Sequence, residues 1–74
     1  MTEPRIPRTR VNSTCIASIG YSATDRMLDV EFASGSVYRY LDVPPHVHDD
    51  LVRAESIGAH FNRAIKSRFN YVKA

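Results

Sequence analysis

Leu28-Asp29-Val30-Glu31-Phe32-Ala33-Ser34-Gly35-Ser36-Val37-Tyr38-Arg39-Tyr40-Leu41-Asp42-Val43-Pro44-Pro45 is the stretch that decides the fold class. Its first five residues alternate apolar with acidic, Gly35 marks a turn, and Tyr38-Arg39-Tyr40 alternates back. That period of two belongs to a pair of half-buried strands joined as a hairpin. Val43 precedes proline and is held extended, while Pro44 or Pro45 fits the first helical turn, where a missing N–H costs nothing. Strand period gives way to helical period, so the chain mixes β and α structure.

The turn chemistry sets the register. A two-residue primed turn at Ser34-Gly35 would place Asp29 and Glu31 opposite Tyr40 and Tyr38 and put both rings on the polar face. Such turns favour Asn-Gly or Asp-Gly, so a three-residue loop of Ala33, Ser34 and Gly35, with glycine in the left-handed position, fits better. It pairs Val30 with Tyr38 and Leu28 with Tyr40 on the apolar face, where such pairs contribute about 0.2 to 1 kcal/mol each. Arg39 then points the other way, and Asp29 and Glu31 are expected to face water.

Working outward, the alternation of Val11, Ser13, Cys15, Ala17, Ile19 and Tyr21 predicts a first strand, with Gly20 as a bulge or bend and Ser22-Ala23-Thr24-Asp25 as a turn. On the other side, Val47, Leu51 and Ala54 recur as one helical stripe, with Asp49 and Asp50 in the early turns. A second helix begins at Ser56 as N-cap. Ile57, Phe61 and Ile65 form its buried stripe, Lys66 and Arg68 lie in its last turns, and Asn70 closes it in a left-handed cap. Tyr71-Val72 is expected to add a short edge strand.

At 74 residues the chain is one domain. Residues 1–10 read as a flexible basic N-terminal arm and residues 11–74 as the folded unit, since the arm holds two prolines and no apolar period. Chains this small bury only about 60% of the surface their unfolded forms expose, so tight packing or a second subunit is expected to support the core. No run approaches the roughly 20 apolar residues of a membrane span. The first ten residues lack the apolar core of a secretory signal, and the lone Cys15, expected to be small and buried, suits a reducing compartment; the expectation is a cytoplasmic protein.

Charge is uneven beneath the net +2. Arg5, Arg8 and Arg10 face Glu3 alone; three arginines face seven acids from Val11 to Glu55; Arg63, Lys66, Arg68 and Lys73 then meet no acid. Basic ends around an acidic middle suit an anionic partner such as nucleic acid, and equally a solvated surface with internal pairing.

No phosphate loop, nucleophile elbow or metalloprotease motif is present, and the acids read as helix-start and solvent-face residues, so no enzyme, metal or cofactor is expected. His46 and His48 diverge at i and i+2 on a helix, and His60 has no ligand-spaced partner. Tyr38-Arg39-Tyr40 is the strongest remaining candidate: aromatic side chains on a short sheet stack bases, and a cationic helix end holds phosphates. Against that stands a core role for the rings and an acidic partner for Arg39.

The ordered signature Asn12-Ser13, Ile16-Ala17-Ser18-Ile19-Gly20-Tyr21, Leu28-x-Val30-x-Phe32-x-x-Gly35-x-x-Tyr38-x-Tyr40-x-x-Val43-Pro44 and Ser56-x-Gly58-x-x-Phe61-Asn62-x-x-Ile65-Lys66 resembles the KTSC domain family over about residues 11 to 72. Members of that family are small bacterial and phage proteins, and its name comes from the C-terminus of some lysyl-tRNA synthetases. The resemblance implies an RNA-related role. The fold class expected is α+β: a small bent antiparallel sheet, or by analogy an Sm-like partial barrel, followed by two short C-terminal helices, an analogy that carries no activity. His48 departs from the aromatic that the family would place near it. The leading reading is a non-enzymatic module for RNA such as tRNA, with Arg39, Arg63, Lys66 and Arg68 for phosphates and Tyr38, Tyr40 and Asn62 for bases. The rival is a protein-interaction or self-associating module, including a regulator docking on a larger complex.

Overall fold

Leu28 lies opposite Tyr40, and Val30 opposite Tyr38, across two antiparallel strands. The computed structural model describes residues 5–74. Its elements are β1 (Thr9–Arg10), β2 (Ile16–Ser22), β3 (Met27–Phe32), β4 (Val37–Tyr40), α1 (Pro45–Arg53), α2 (Ile57–Ala64) and β5 (Tyr71–Lys73). The strands form one antiparallel sheet in the order β1-β2-β3-β4-β5. The architecture is α+β, with both helices inserted between β4 and β5. Among the described residues the sheet is open at both edges, so the chain builds the antiparallel sheet of the expectation and does not close it into a barrel.

The β3–β4 register follows from its loop. Gly35 sits at φ +98°, a conformation that favours glycine, and its N–H donates to the Phe32 carbonyl at 2.9 Å. One face of the sheet then carries Leu28, Val30 and Tyr40 into a core completed by Ile16, Ile19, Val43, Leu51, Phe61 and Ile65.

β2 departs from the simple alternation read in the sequence. Ile16 opposes Phe32 and Ile19 opposes Val30, with a bulge between Ile16 and Ser18. Residues three apart reach one face of a strand only if one extra residue is inserted, which is what the bulge does. The strand therefore starts at Ile16 and not at Val11. Cys15, expected to be buried, is exposed in the preceding loop. Gly20, expected to mark a bulge, pairs regularly with Asp29. Its role is close approach: a Cβ there would lie 2.4 Å from the Pro7 carbonyl oxygen.

That approach belongs to a second correction. Residues 5–10 were expected within a mobile arm, yet Ile6 is buried and Thr9–Arg10 pairs with Ser18–Ile19. Arg8 Nε donates to Ser18 Oγ, which donates to Glu31 Oε1 at 2.7 Å. Residues 1–4 of the expected arm lie outside the described residues. The docked segment covers the face where Asp29 and Glu31 were expected to meet water, and Asp29 is buried.

Pro44 is the N-cap of α1 and Pro45 opens it, as the proline pair predicts. Asp49 and Asp50 lie beyond the first turn, which holds no acid. Ser56 caps α2, its Oγ accepting from Ala59 N–H at 3.3 Å. α2 stops at Ala64, short of the expected Asn70, and Lys66 and Arg68 fall outside it. The chain leaves the helix because β5 must run beside β4: Leu41 N–H donates to the Asn70 carbonyl and Ala74 N–H to the Val37 carbonyl, each at 2.8 Å. Asn70 has no left-handed backbone; Arg26 and Asp42 do, at φ 54° and 57°. No helix of the described residues is long and apolar enough to cross a membrane.

Candidate nucleic-acid interface

Alternate residues of β4 place Tyr38 and Tyr40 on the core face, and β5 brings Tyr71 beside them by pairing Tyr71 with Tyr40 and Lys73 with Tyr38. α2 supplies Phe61, and Phe32 ends β3 nearby. Five rings consequently close a circuit. Tyr38–Phe32, Phe32–Phe61, Phe61–Tyr40, Tyr40–Tyr71 and Tyr71–Tyr38 have centroids 5.6, 5.5, 5.4, 5.4 and 5.3 Å apart. Edge-to-face packing at Phe61 suits the quadrupoles of these rings and fixes them without extra hydrogen bonds.

The rings line an open groove of about 480 Å³, and Asn62, Lys66, Ser34 and Ser36 stand along it. Tyr40 is buried at 3% exposure, Tyr38 is half-buried, and Tyr71 shows 52% of its surface. Among the described residues the hydroxyls of these three tyrosines have no hydrogen-bond partner in the protein, whereas Tyr21 donates to the Val43 carbonyl. Burial raises the Tyr40 phenol above its ordinary pKa, and Tyr71 and Tyr38 add to the rise. At neutral pH it is a proton donor. The groove thus combines one exposed ring face, phenolic and amide hydrogen-bonding groups and an ammonium.

Four of the seven residues expected at a nucleic-acid site meet here: Tyr38, Tyr40, Asn62 and Lys66. Arg39 projects from the opposite face, where Nε and Nη2 hold Asp29 at 2.8 and 3.0 Å. Arg63 and Arg68 are exposed and do not line the groove. Tyr71 joins the groove and Lys73, on the same strand as Tyr71, lies opposite Tyr38, although the sequence pointed only to an edge strand at that position. The missed signal is their spacing of two, which puts both on one face of that strand. His48, near which the resemblance implies an aromatic, stacks on Tyr21 at 4.7 Å and 7° and does not line the groove.

Fold and groove together define a class: a small α+β domain whose sheet face, closed by an edge strand from beyond the helices, presents an aromatic groove with cationic and amide borders. The family model for the KTSC domain matches residues 12–69. The chain belongs to the KTSC domain family. It is 44% identical over 59 residues to an uncharacterised protein of Stutzerimonas stutzeri, covering 80% of this chain and 83% of that one. A lysine–tRNA ligase of Nostoc punctiforme is 42% identical over 65 residues, 88% of this chain but 12% of the ligase. The crystal structure of a KTSC domain protein from Yersinia pestis superposes with a TM-score of 0.91 at 37% identity, covering 95% of this chain and 99% of that one.

Proposed function

We propose that this domain is a non-enzymatic RNA-binding module acting in the cytoplasm, and that the aromatic groove takes unpaired bases of an RNA such as tRNA. The observation that carries the reading is the convergence of Tyr38, Tyr40 and Tyr71 with Asn62 and Lys66 in one groove. Sequence-specific RNA recognition uses splayed bases stacked on aromatic side chains and hydrogen-bonded at their edges. Tyr71 offers the stacking face, Asn62 an amide that both donates and accepts, and Lys66 and Lys73 the charge for flanking phosphates. Similarity to a segment of lysine–tRNA ligases supports an RNA setting. Fluorescence anisotropy with labelled tRNA and with a single-stranded RNA is the test. Binding that weakens steeply with salt supports the proposal, and a flat titration at low salt removes it.

A second reading rests on β5, an exposed three-residue edge strand on which Val72 keeps 46% of its surface exposed. Such an edge offers unpaired backbone groups to a strand of another chain, whether a partner protein or a second copy. Sedimentation velocity over a wide concentration range tests the self-associating form, and a strict monomer throughout counts against it.

A further inference from the structure

The face of the sheet opposite the aromatic groove carries a second groove, of about 630 Å³, among whose lining residues are Arg5, Arg8, Arg10, Arg39, Asp29 and Glu31. It exists because residues 5–10 dock on the sheet. Buried Ile6 anchors the segment, and the bare backbone at Gly20 lets the Pro7 carbonyl approach. Docking gathers four guanidiniums against two carboxylates.

The carboxylates are already engaged. Asp29 is held at both oxygens by Arg39, and Glu31 accepts from Ser18. Arg8 spends Nε on Ser18 Oγ, while Arg5 and Arg10 are exposed, and among the described residues these three arginines have no ion-pair partner. Neutralising Asp29 and Glu31 needs fewer cations than the groove holds. The surplus is guanidinium, whose planar fork matches two oxygens of a phosphate group.

Resting on the RNA reading above, we infer that this arginine groove is a phosphodiester track for the same RNA strand. The two grooves lie back to back across β4: Tyr38 and Tyr40 face one, Val37 and Arg39 the other. β5 is the sheet edge beside them, with Tyr71 lining the aromatic groove and Ala74, just beyond it, lining the arginine groove. A strand with a base stacked at Tyr71 that passes around this edge brings its backbone to Arg5, Arg8 and Arg10.

The test is the salt dependence of single-stranded RNA binding by the full chain and by a variant carrying Arg5→Ala, Arg8→Ala and Arg10→Ala. Each phosphate contact contributes about 0.7 to the slope of log K against log salt for a single strand, so three lost contacts lower it by about 2. The corresponding Arg→Lys triple variant keeps the slope, which separates a charge role from a purely structural one, and melting of all variants checks folding. Tyr71→Ala weakens binding with its slope unchanged. A triple alanine variant that folds and retains the wild-type slope overturns the arginine track and leaves the aromatic groove standing. Absence of RNA binding by the unmodified chain overturns both.

Discussion

Asp29 and Arg39 stand directly opposite each other on β3 and β4 and form a two-point ion pair at 2.8 and 3.0 Å, at 3% and 9% exposure. The docked N-terminal segment packs over the sheet face that carries this pair. Removing one partner strands a buried charge, at about 3–5 kcal/mol, in a domain whose whole stability is about 4–11 kcal/mol. Urea denaturation of Asp29→Asn or Arg39→Met is expected to show loss of most of the stability. An Asp29→Leu/Arg39→Met double variant is expected to recover much of it, because no lone charge remains. A double variant that loses the sum of the two single losses would mean that the pair is not coupled.

Gly20 faces the backbone of Pro7, with a Cβ position 2.4 Å from its carbonyl oxygen. A carbonyl cannot swing aside as a flexible side chain does, so Gly20→Ala is expected to lever the segment off the sheet at a cost of about 1–3 kcal/mol. Faster tryptic cleavage after Arg8 and Arg10, and loss of amide protection in the β1–β2 ladder, would report it. Wild-type protection in a folded Gly20→Ala variant would show that the segment tolerates the side chain.

Tyr71 is half exposed and Tyr40 beneath it is buried. Tyr71→Ala is therefore expected to weaken RNA binding by about 1–3 kcal/mol, the usual worth of one stacked base, with a much smaller loss in thermal stability. An anisotropy titration beside a thermal melt checks both; unchanged affinity would remove Tyr71 from the interface.

Burial holds the Tyr40 proton to higher pH in the folded protein than in the unfolded chain, where the phenol titrates near its ordinary 10.0. A raised folded pKa means stabilisation that is complete below about pH 10 and is lost as pH climbs through the raised value. Tm is expected to fall across that range and to fall less in Tyr40→Phe. Tyr21, raised chiefly by burial as well, contributes the same sign. An identical pH profile in Tyr40→Phe would refute the assignment.

Ser56 Oγ accepts from Ala59 N–H at the start of α2. Loss of such a cap costs about 1 kcal/mol, so Ser56→Ala is expected to lower stability by that amount in urea while Ser56→Asp keeps it.

Local patterns carried the hairpin. The Ala33-Ser34-Gly35 loop determines which residues of β3 and β4 face each other, and a loop is read from adjacent residues. The start of α1 at Pro44-Pro45 and the Ser56 cap are local in the same sense. What the pattern misses is set by partners distant in the chain. The β2 bulge exists because both Ile16 and Ile19 must reach one core, the docking of residues 5–10 depends on the space above Gly20, and α2 ends early because residues 71–73 pair with β4. The groove follows the same division: Tyr38, Tyr40, Asn62 and Lys66 among its lining were legible from composition and register, whereas Tyr71 enters, and Lys73 comes opposite Tyr38, through a pairing across more than thirty residues.

The circuit of five rings draws on a hairpin, a helix and a terminal strand only three residues long, and Tyr71 is the one ring that β5 contributes. Such a short edge strand opens more readily than the sheet beneath it, and the groove loses a wall whenever it does. Anything that stacks on Tyr71 binds only the closed form, so its occupancy favours closure by mass action. On the proposed reading the domain's last strand would be a latch, fastened by the molecule it helps to hold.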